Sequence, residues 1–456
     1  MRKQDIFGCD VTITSGDALI AWNDTQQGFL SHAASTGPSI NTTLEIEPEF
    51  ALGHACHGLF CLLLGRRELD AKILGSLNKA QASSRQNPVT AREQHYIDAL
   101  AAWINGKPSL SIAEMEGVLE RWPHDPLAMK LSHAIRFMLG DLKGMRTSLE
   151  NIMHVYGGHK AEGYFHGCYA FTLEETGDYA LAEKRGRKAL DIAPDDAWGL
   201  HAVSHVYDMT GRAKQGLEWL TGKEAAWEHC NNFRYHVWWH IALMHLDLGQ
   251  YDKVLELYDE QIRKDKTDDY RDISNATSVL LRLEFEGIET GNRWEELAEL
   301  SANRCTDNCN AFADLHYMMA LCKTPDEASA DNLLSNMQTS AEARHHCEMT
   351  SAIRHPGIIA AEGLEAFRDQ NFSHAYECLN QARPHLQSIG GSHAQRDVFE
   401  RLGIESALRA GMLAQAKNLL RERDLHRGYK DGYSNSRWQQ LEPAASNAGI
   451  ARMGAA

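Results

Sequence analysis

From Pro48 onward apolar residues recur with a helical period, and proline is rare inside the apolar runs, where Ala, Leu, Glu and Arg are common. The runs break at glycines: Gly65, Gly106, Gly140, Gly177, Gly211 and Gly249, in steps of 41, 34, 37, 34 and 38 residues. Such spacing predicts helix–turn–helix units repeated along the chain. Residues 1–47 instead carry Gly8, Gly16, Gly28, Gly37 and Pro38 among short mixed segments, which predicts a loop-rich capping leader with a helix near Ala18 to His32. Between about Asp268 and Arg354 the helical period persists, notably over Val279 to Leu283 and Leu315 to Leu321, but repeat signatures are absent. That stretch is expected to form irregular helix pairs that continue the stack. After Arg423 the composition turns to Gly, Ser, Asn and Arg, which predicts a short cap and a frayed end.

The string Gly177-Asp178-Tyr179-x-x-Ala182, followed by Ala189 and Pro194, matches the tail of a tetratricopeptide repeat. It supplies a turn glycine, an aromatic, a small residue where two helices touch, and a proline that opens the next unit. Pro123 follows Gly106 by 17 residues, as Pro194 follows Gly177, so two units agree in phase at both ends. Gln370-Asn371-Phe372-x-x-Ala375 with Ala382, and Gly411-Met412-Leu413-x-x-Ala416, repeat the tail in degraded form. The fold expected is all-α: a right-handed helical solenoid of roughly six to nine helix pairs, strongly curved or closed around a central pocket. It divides as a capping leader (1–47), repeats (48–265), irregular and degenerate repeats (266–423), and a cap and tail (424–456).

Composition narrows the function classes. With 46 basic against 62 acidic residues in 456, the formal charge of −16 repels polyphosphates and anionic membranes, so neither nucleic acid nor membrane is an expected partner. No apolar core follows Met1-Arg2-Lys3, and no run approaches a membrane span, so a cytoplasmic protein is expected. Ten cysteines are too few for a disulfide scaffold and read as small core residues. Cys305-x-x-x-Cys309 lacks zinc-knuckle spacing and a second pair. Phosphate-loop, His-Glu-x-x-His and Gly-x-Ser-x-Gly signatures are absent, which removes the commonest enzyme classes but leaves metal or acid/base chemistry open.

Three strings are more specific: Asp195-Asp196-Ala197-Trp198-x-x-His201-Ala202-Val203-x-His205-Val206, Phe233-x-x-His236-x-Trp238-Trp239-His240-x-Ala242-Leu243, and Gly390-Gly391-Ser392-His393-Ala394-Gln395-Arg396-Asp397. On these the chain resembles the tetratricopeptide repeat protein 38 family over almost its whole length. The resemblance implies an all-helical closed or strongly curved solenoid and carries no activity with it. Val237 departs from the family, whose members often have Asn there.

The candidate chemistry lies on the first helices of successive units, whose positions 2, 5, 9 and 12 face inward. With the turn glycine as position 15, His201 and His205 fall at 5 and 9, Asp208 at 12, and His236 and His240 at 2 and 6 of the next unit. Residues four apart on one helix lie about 5–6 Å apart and neighbouring helices about 8–10 Å, so four imidazoles can share one volume. The 23 histidines give roughly one such pair by chance and two occur, so placement carries the argument rather than number. The plain alternative is a set of core imidazoles held by Trp198, Trp238 and Trp239. The candidate catalytic set is His201, His205, His236, His240 and Asp272, with a divalent transition metal on His201, His205 and His240 as the candidate cofactor. By pattern and resemblance His166, Trp198, Asp314, His316, His393, Arg396 and Asp397 join as ligand-binding residues, with His54 and His57 nearby. Ser392 and Gln395 also fit a capping box, which would explain the His393 helix start without any ligand. Inward His, Asp and Trp suit a small polar molecule; a short peptide held by a non-catalytic repeat scaffold is the second reading, and oligomerisation stays open.

Overall fold

The computed structural model describes residues 3–325 and 327–441. Among them are 23 complete α-helices, a further helical stretch over 432–441, and one two-stranded ribbon, Lys3–Gln4 paired antiparallel with Asp10–Val11. Ten helix pairs run from Ala51 to Arg427, preceded by the pair Gly16–Leu30 and Thr36–Ile46. This is an all-α helical solenoid of tetratricopeptide type, with more pairs than the six to nine expected. The surplus comes from segments whose turns lack the repeat signature: Tyr270–Phe285 with Arg293–Ala302, Ala311–Leu321 with Glu327–Ala343, and the leader pair itself. No helix among the described residues is long and apolar enough to cross a membrane, and no disulfide forms among them.

Within the regular units the turns obey the backbone rule that glycine spacing suggested. Gly140, Gly177, Gly211 and Gly249 have φ of 68, 85, 67 and 70°, a region costly for residues with a Cβ. Gln370 takes the same role at φ 58°, which is why the tail beginning there looks degraded in sequence.

Two apolar clusters fill the interior, one from Phe7 to Val206 and one from Ala197 to Leu441. They meet on helix Ala197–Met209: Trp198, Ala202 and Val206 face the first, and Ala197, Leu200, Val203 and Tyr207 the second. Truncating the fully buried Leu200 to alanine should cost about 2–5 kcal/mol, because neither cluster can collapse into the gap alone.

The solenoid closes on itself. Asn231 N–H donates to His32 O at 2.8 Å, Glu348 N–H to Gly106 O at 2.9 Å, and the Gln387 amide to Gly140 O at 2.8 Å. Packing at the last contact is so close that a Cβ on Gly140 would lie 1.9 Å from Gln387 O. Closure brings helix His393–Arg409, near the end of the array, against helix Glu162–Glu175, near its middle.

Candidate functional site

Helix Ala197–Met209 starts at Asp196, whose side chain accepts from Gly199 N–H at 3.2 Å. Helix Phe233–Asp247 starts where Asn231 Oδ1 accepts from Phe233 N–H at 3.0 Å. These starts fix the phase of two parallel-lying first helices, so that His201 and His205 on one face His236 and His240 on the other. The four Nε2 atoms converge: His205 to His201 2.8 Å, His236 to His201 3.0 Å, and His240 to His236 3.3 Å. All four ligand atoms lie within 4.8 Å of one another. A tetrahedral ion with metal–nitrogen distances of about 2.0–2.1 Å separates its ligand atoms by roughly 3.3 Å, so the set needs only small adjustments to hold one.

Proton accounting favours a cation there. His236 Nδ1–H donates to Asn275 Oδ1 at 2.9 Å, from helix Tyr270–Phe285, and His205 Nδ1 lies 3.5 Å from Glu174 Oε2. A neutral imidazole carries one N–H, so the bond to Asn275 leaves a bare lone pair on Nε2 of His236, whereas His205 Nδ1 makes no hydrogen bond. His236 thus brings no proton to the three N···N contacts, and Nδ1 of His201, His205 and His240 has no hydrogen-bond partner. Burial holds His201, His205 and His240 well below the usual imidazole range and His236 at about 4, so none escapes by becoming charged. Neutral, convergent and partly orphaned nitrogens are the donor set a divalent transition metal takes.

A second polar group adjoins the first through His205. His393 Nε2 lies 2.8 Å from Glu174 Oε1 and its Nδ1 3.1 Å from Glu175 Oε1. Burial opposes charge on His393, but the two carboxylates outweigh it and raise the ring to about 10. Burial pushes Glu174 up to about 7 against the pull of His393, while His393 and Arg396 hold Glu175 down at about 2 in spite of the same burial. Ser392 and Gln395 form the capping box, and the free His393 N–H donates to Glu175 Oε1 at 3.0 Å. Arg396 also lies 3.6 Å from Glu175 and donates to the Gly390 and Gly391 carbonyls. The anion at this helix start is thus the protein's own Glu175.

The other expected residues divide. Trp198 lines the central cavity, its ring 5.1 Å from that of His201. Asp272 does not join the imidazoles: its carboxylate accepts from Asn232 Nδ2 at 2.5 Å and from Thr267 Oγ1, because its place in the first turn of Tyr270–Phe285 aims it at the preceding loop. The carboxylate beside the imidazoles is instead Glu174, 3.5 Å from His205 Nδ1. His166 is held near Glu162 at 3.4 Å, and Asp397 is bound into a buried network with Arg401 at 2.7 Å and Arg423 at 2.6 Å. His316 Nδ1–H donates to Phe312 O at 2.7 Å, its Nε2 has no hydrogen-bond partner, and burial keeps it neutral, at about 4. Asp314 is fully buried, and burial lifts it to about 8. His57 lines the cavity and bonds Ser76 Oγ at 2.8 Å, while His54 bonds the Pro48 carbonyl at 2.8 Å.

The central cavity encloses about 570 Å³, within the range of ligand pockets. Its wall is drawn from the leader, from first helices around the ring and from the Gly390–Gln395 corner; His201 and His236 reach it from the metal-type cluster. Sequence reasoning passed over Glu174, Asn275 and Lys130. Two of these had a signal, since Glu174 falls at position 12 and Lys130 at position 5 of their units, the same phase that singled out Asp208 and His201.

No protein-family model matches the chain. Among solved structures it is similar to a Rap protein complexed with Competence and Sporulation Factor, at 14% identity over 78% of this chain and 100% of that one, with a TM-score of 0.43. It is also similar to a human IFIT1 dimer with PPP-AAAA, at 13% identity over 95% of this chain and 96% of that one, with a TM-score of 0.37.

Proposed function

We propose that this protein is a metal-dependent small-molecule-binding solenoid, in which His201, His205, His236 and His240 hold a divalent transition ion at the wall of the central cavity. The observation that carries the reading is the convergence of four buried Nε2 atoms, that of His236 left proton-free by its Nδ1–H bond to Asn275. Zinc suits neutral imidazoles, and an ion that kept three of the four and opened a position toward the cavity would supply Lewis-acid chemistry. His201 and His236 carry the site to the cavity face, Asn275 fixes the ring of His236, Glu174 stands 3.5 Å from that of His205, and Trp198 walls the ligand's approach. A peptide scaffold needs a groove running along several repeats; here the lining residues come from opposite sides of a closed ring, which favours a compact ligand. The three specific strings around His201, His236 and His393 also lead us to place the chain with the tetratricopeptide repeat protein 38 family.

Elemental analysis of protein purified without chelators tests the site. About one equivalent of a transition metal is expected in wild type and less than about a tenth in His201→Ala and His240→Ala. A metal-free wild type that also fails to take up zinc or cobalt in titration would overturn the reading.

A further inference from the structure

The cavity contains a buried cation with no counter-ion at close range. Lys130, on helix Pro126–Met138, is 3% exposed, yet its Nζ meets only the Cys168 sulfur at 3.6 Å and the Trp198 ring at 4.9 Å. Among the described residues no carboxylate comes within 4.0 Å of it. Asp196 senses the ammonium from farther off, but its Oδ2 is committed to capping Gly199. Beside Lys130, His133 is equally buried and both of its ring nitrogens lack a partner, as does Trp198 Nε1. All three residues line the cavity. An ammonium taken out of water without an anion costs several kcal/mol, and each orphaned donor adds to that. An anion arriving in the cavity offsets both.

The rest of the wall fixes what the anion is attached to. Phe137, Phe233 and Trp198 present aromatic surface around Lys130, and His201 lies against the same indole. The other cations at the wall are spent or wet: Arg271 is paired with Asp269 at 2.6 Å, and Lys72 is exposed. One available positive charge matches one negative charge, which suits a carboxylate and not a phosphate dianion with its demand for several donors. Building on the cavity's role as the ligand site, we propose that it takes an amphiphilic carboxylate, with its head at Lys130 and His133 and its apolar body along Trp198, Phe137 and Phe233. Since Lys130 and His201 both lie against Trp198, this seat places the body of the ligand beside the imidazole cluster.

Isothermal titration of the full chain with two probe pairs tests the assignment: 2-naphthylacetate against its amide, and decanoate against decanamide. In wild type at least one acid should bind with a stoichiometry near one and about tenfold or more tighter than its amide. Lys130→Met should abolish that preference to within about twofold while keeping its metal content, and Lys130→Gln, which retains the stem over Trp198, serves if the first variant does not fold. His240→Ala should lose metal and retain a preference for acids, weakened but not abolished, so a failure of the metal centre and a failure of the head-group assignment read out separately. Equal affinity for acid and amide in wild type, an undiminished preference in the Lys130 variant, or no binding of either acid to metal-replete protein would each overturn the proposal.

Discussion

Asn275 offers the sharpest test of the metal site, because it touches one ligand and no ion. It is 2% exposed on helix Tyr270–Phe285, and its Oδ1 accepts from His236 Nδ1–H at 2.9 Å. Asn275→Leu keeps the volume and removes the acceptor. His236 then has two options. It keeps its proton on Nδ1 and buries an unpaired donor, at about 1–3 kcal/mol; or it moves the proton to Nε2, where it blocks the lone pair a metal needs. Either way the metal-bound state loses what the free state regains, so zinc affinity should fall about 10–100-fold, as it does when a second partner is removed from a metal-bound histidine. That range corresponds to about 1.4–2.7 kcal/mol. The assay is competition with a chromogenic chelator at pH 7.5, with cobalt absorption reporting four-coordination and a melt of the metal-free protein reporting stability. If affinity stays within about twofold of wild type while the metal-free melt drops, Asn275 is a packing residue and the tautomer argument is wrong.

Three further perturbations probe the frame. Gly140→Ala should destabilise by about 2–4 kcal/mol in urea, from a left-handed φ of 68° together with a Cβ 1.9 Å from Gln387 O at the closure seam. Asp314 binds a proton in the folded state up to about pH 8, whereas the unfolded carboxyl loses it near pH 4, so wild-type stability should fall across that window; Asp314→Asn should remove the slope and be about 1–3 kcal/mol more stable at pH 9 by chemical denaturation. Arg423→Met strands Asp397 and Asp431 and should cost about 3–5 kcal/mol; in wild type both carboxyls sit below their usual range despite burial because of Arg423, so this part of the stability is lost as pH falls below about 4, measured by melts from pH 7 to 3.

Where the sequence could be read, one residue per turn carried the information. Gly140, Gly177, Gly211 and Gly249 mark positions that only a left-handed backbone satisfies, so their spacing recorded the unit length directly. Gly287, 38 residues after Gly249, continues the series with φ 77°, but no aromatic and alanine follow it, and Ala311–Leu321 turns into its partner without any glycine. Those pairs are set by tertiary packing, which leaves no local signature. The histidine face was legible because the period of a helix fixes which side chains share a wall. Asp272 shows the limit: in the first turn its direction follows the loop before it, and helical phase says nothing about that loop. His393 and Glu175 meet only because the ring closes, and no pattern local to either one encodes the contact.

Closure also explains why the two adjoining polar clusters differ in what they need. Around His393 the charges already balance: two carboxylates meet one imidazolium and one guanidinium, so no outside ion is called for. The four-histidine cluster has no charge at all, and a divalent ion placed there brings two positive charges into a dry interior. Glu174 lies between the clusters, 3.5 Å from His205 Nδ1, and burial leaves it only loosely ionised, at about 7. A cation behind His205 favours its anionic form and so recovers one compensating charge through the ring. On the cavity side the one carboxylate among the described lining residues, Asp269, is already paired with Arg271, and Lys130 adds to the positive excess. An anionic ligand seated at Lys130 lowers the positive field on that side, so metal and carboxylate should each bind more tightly when the other is present, and by linkage by the same factor.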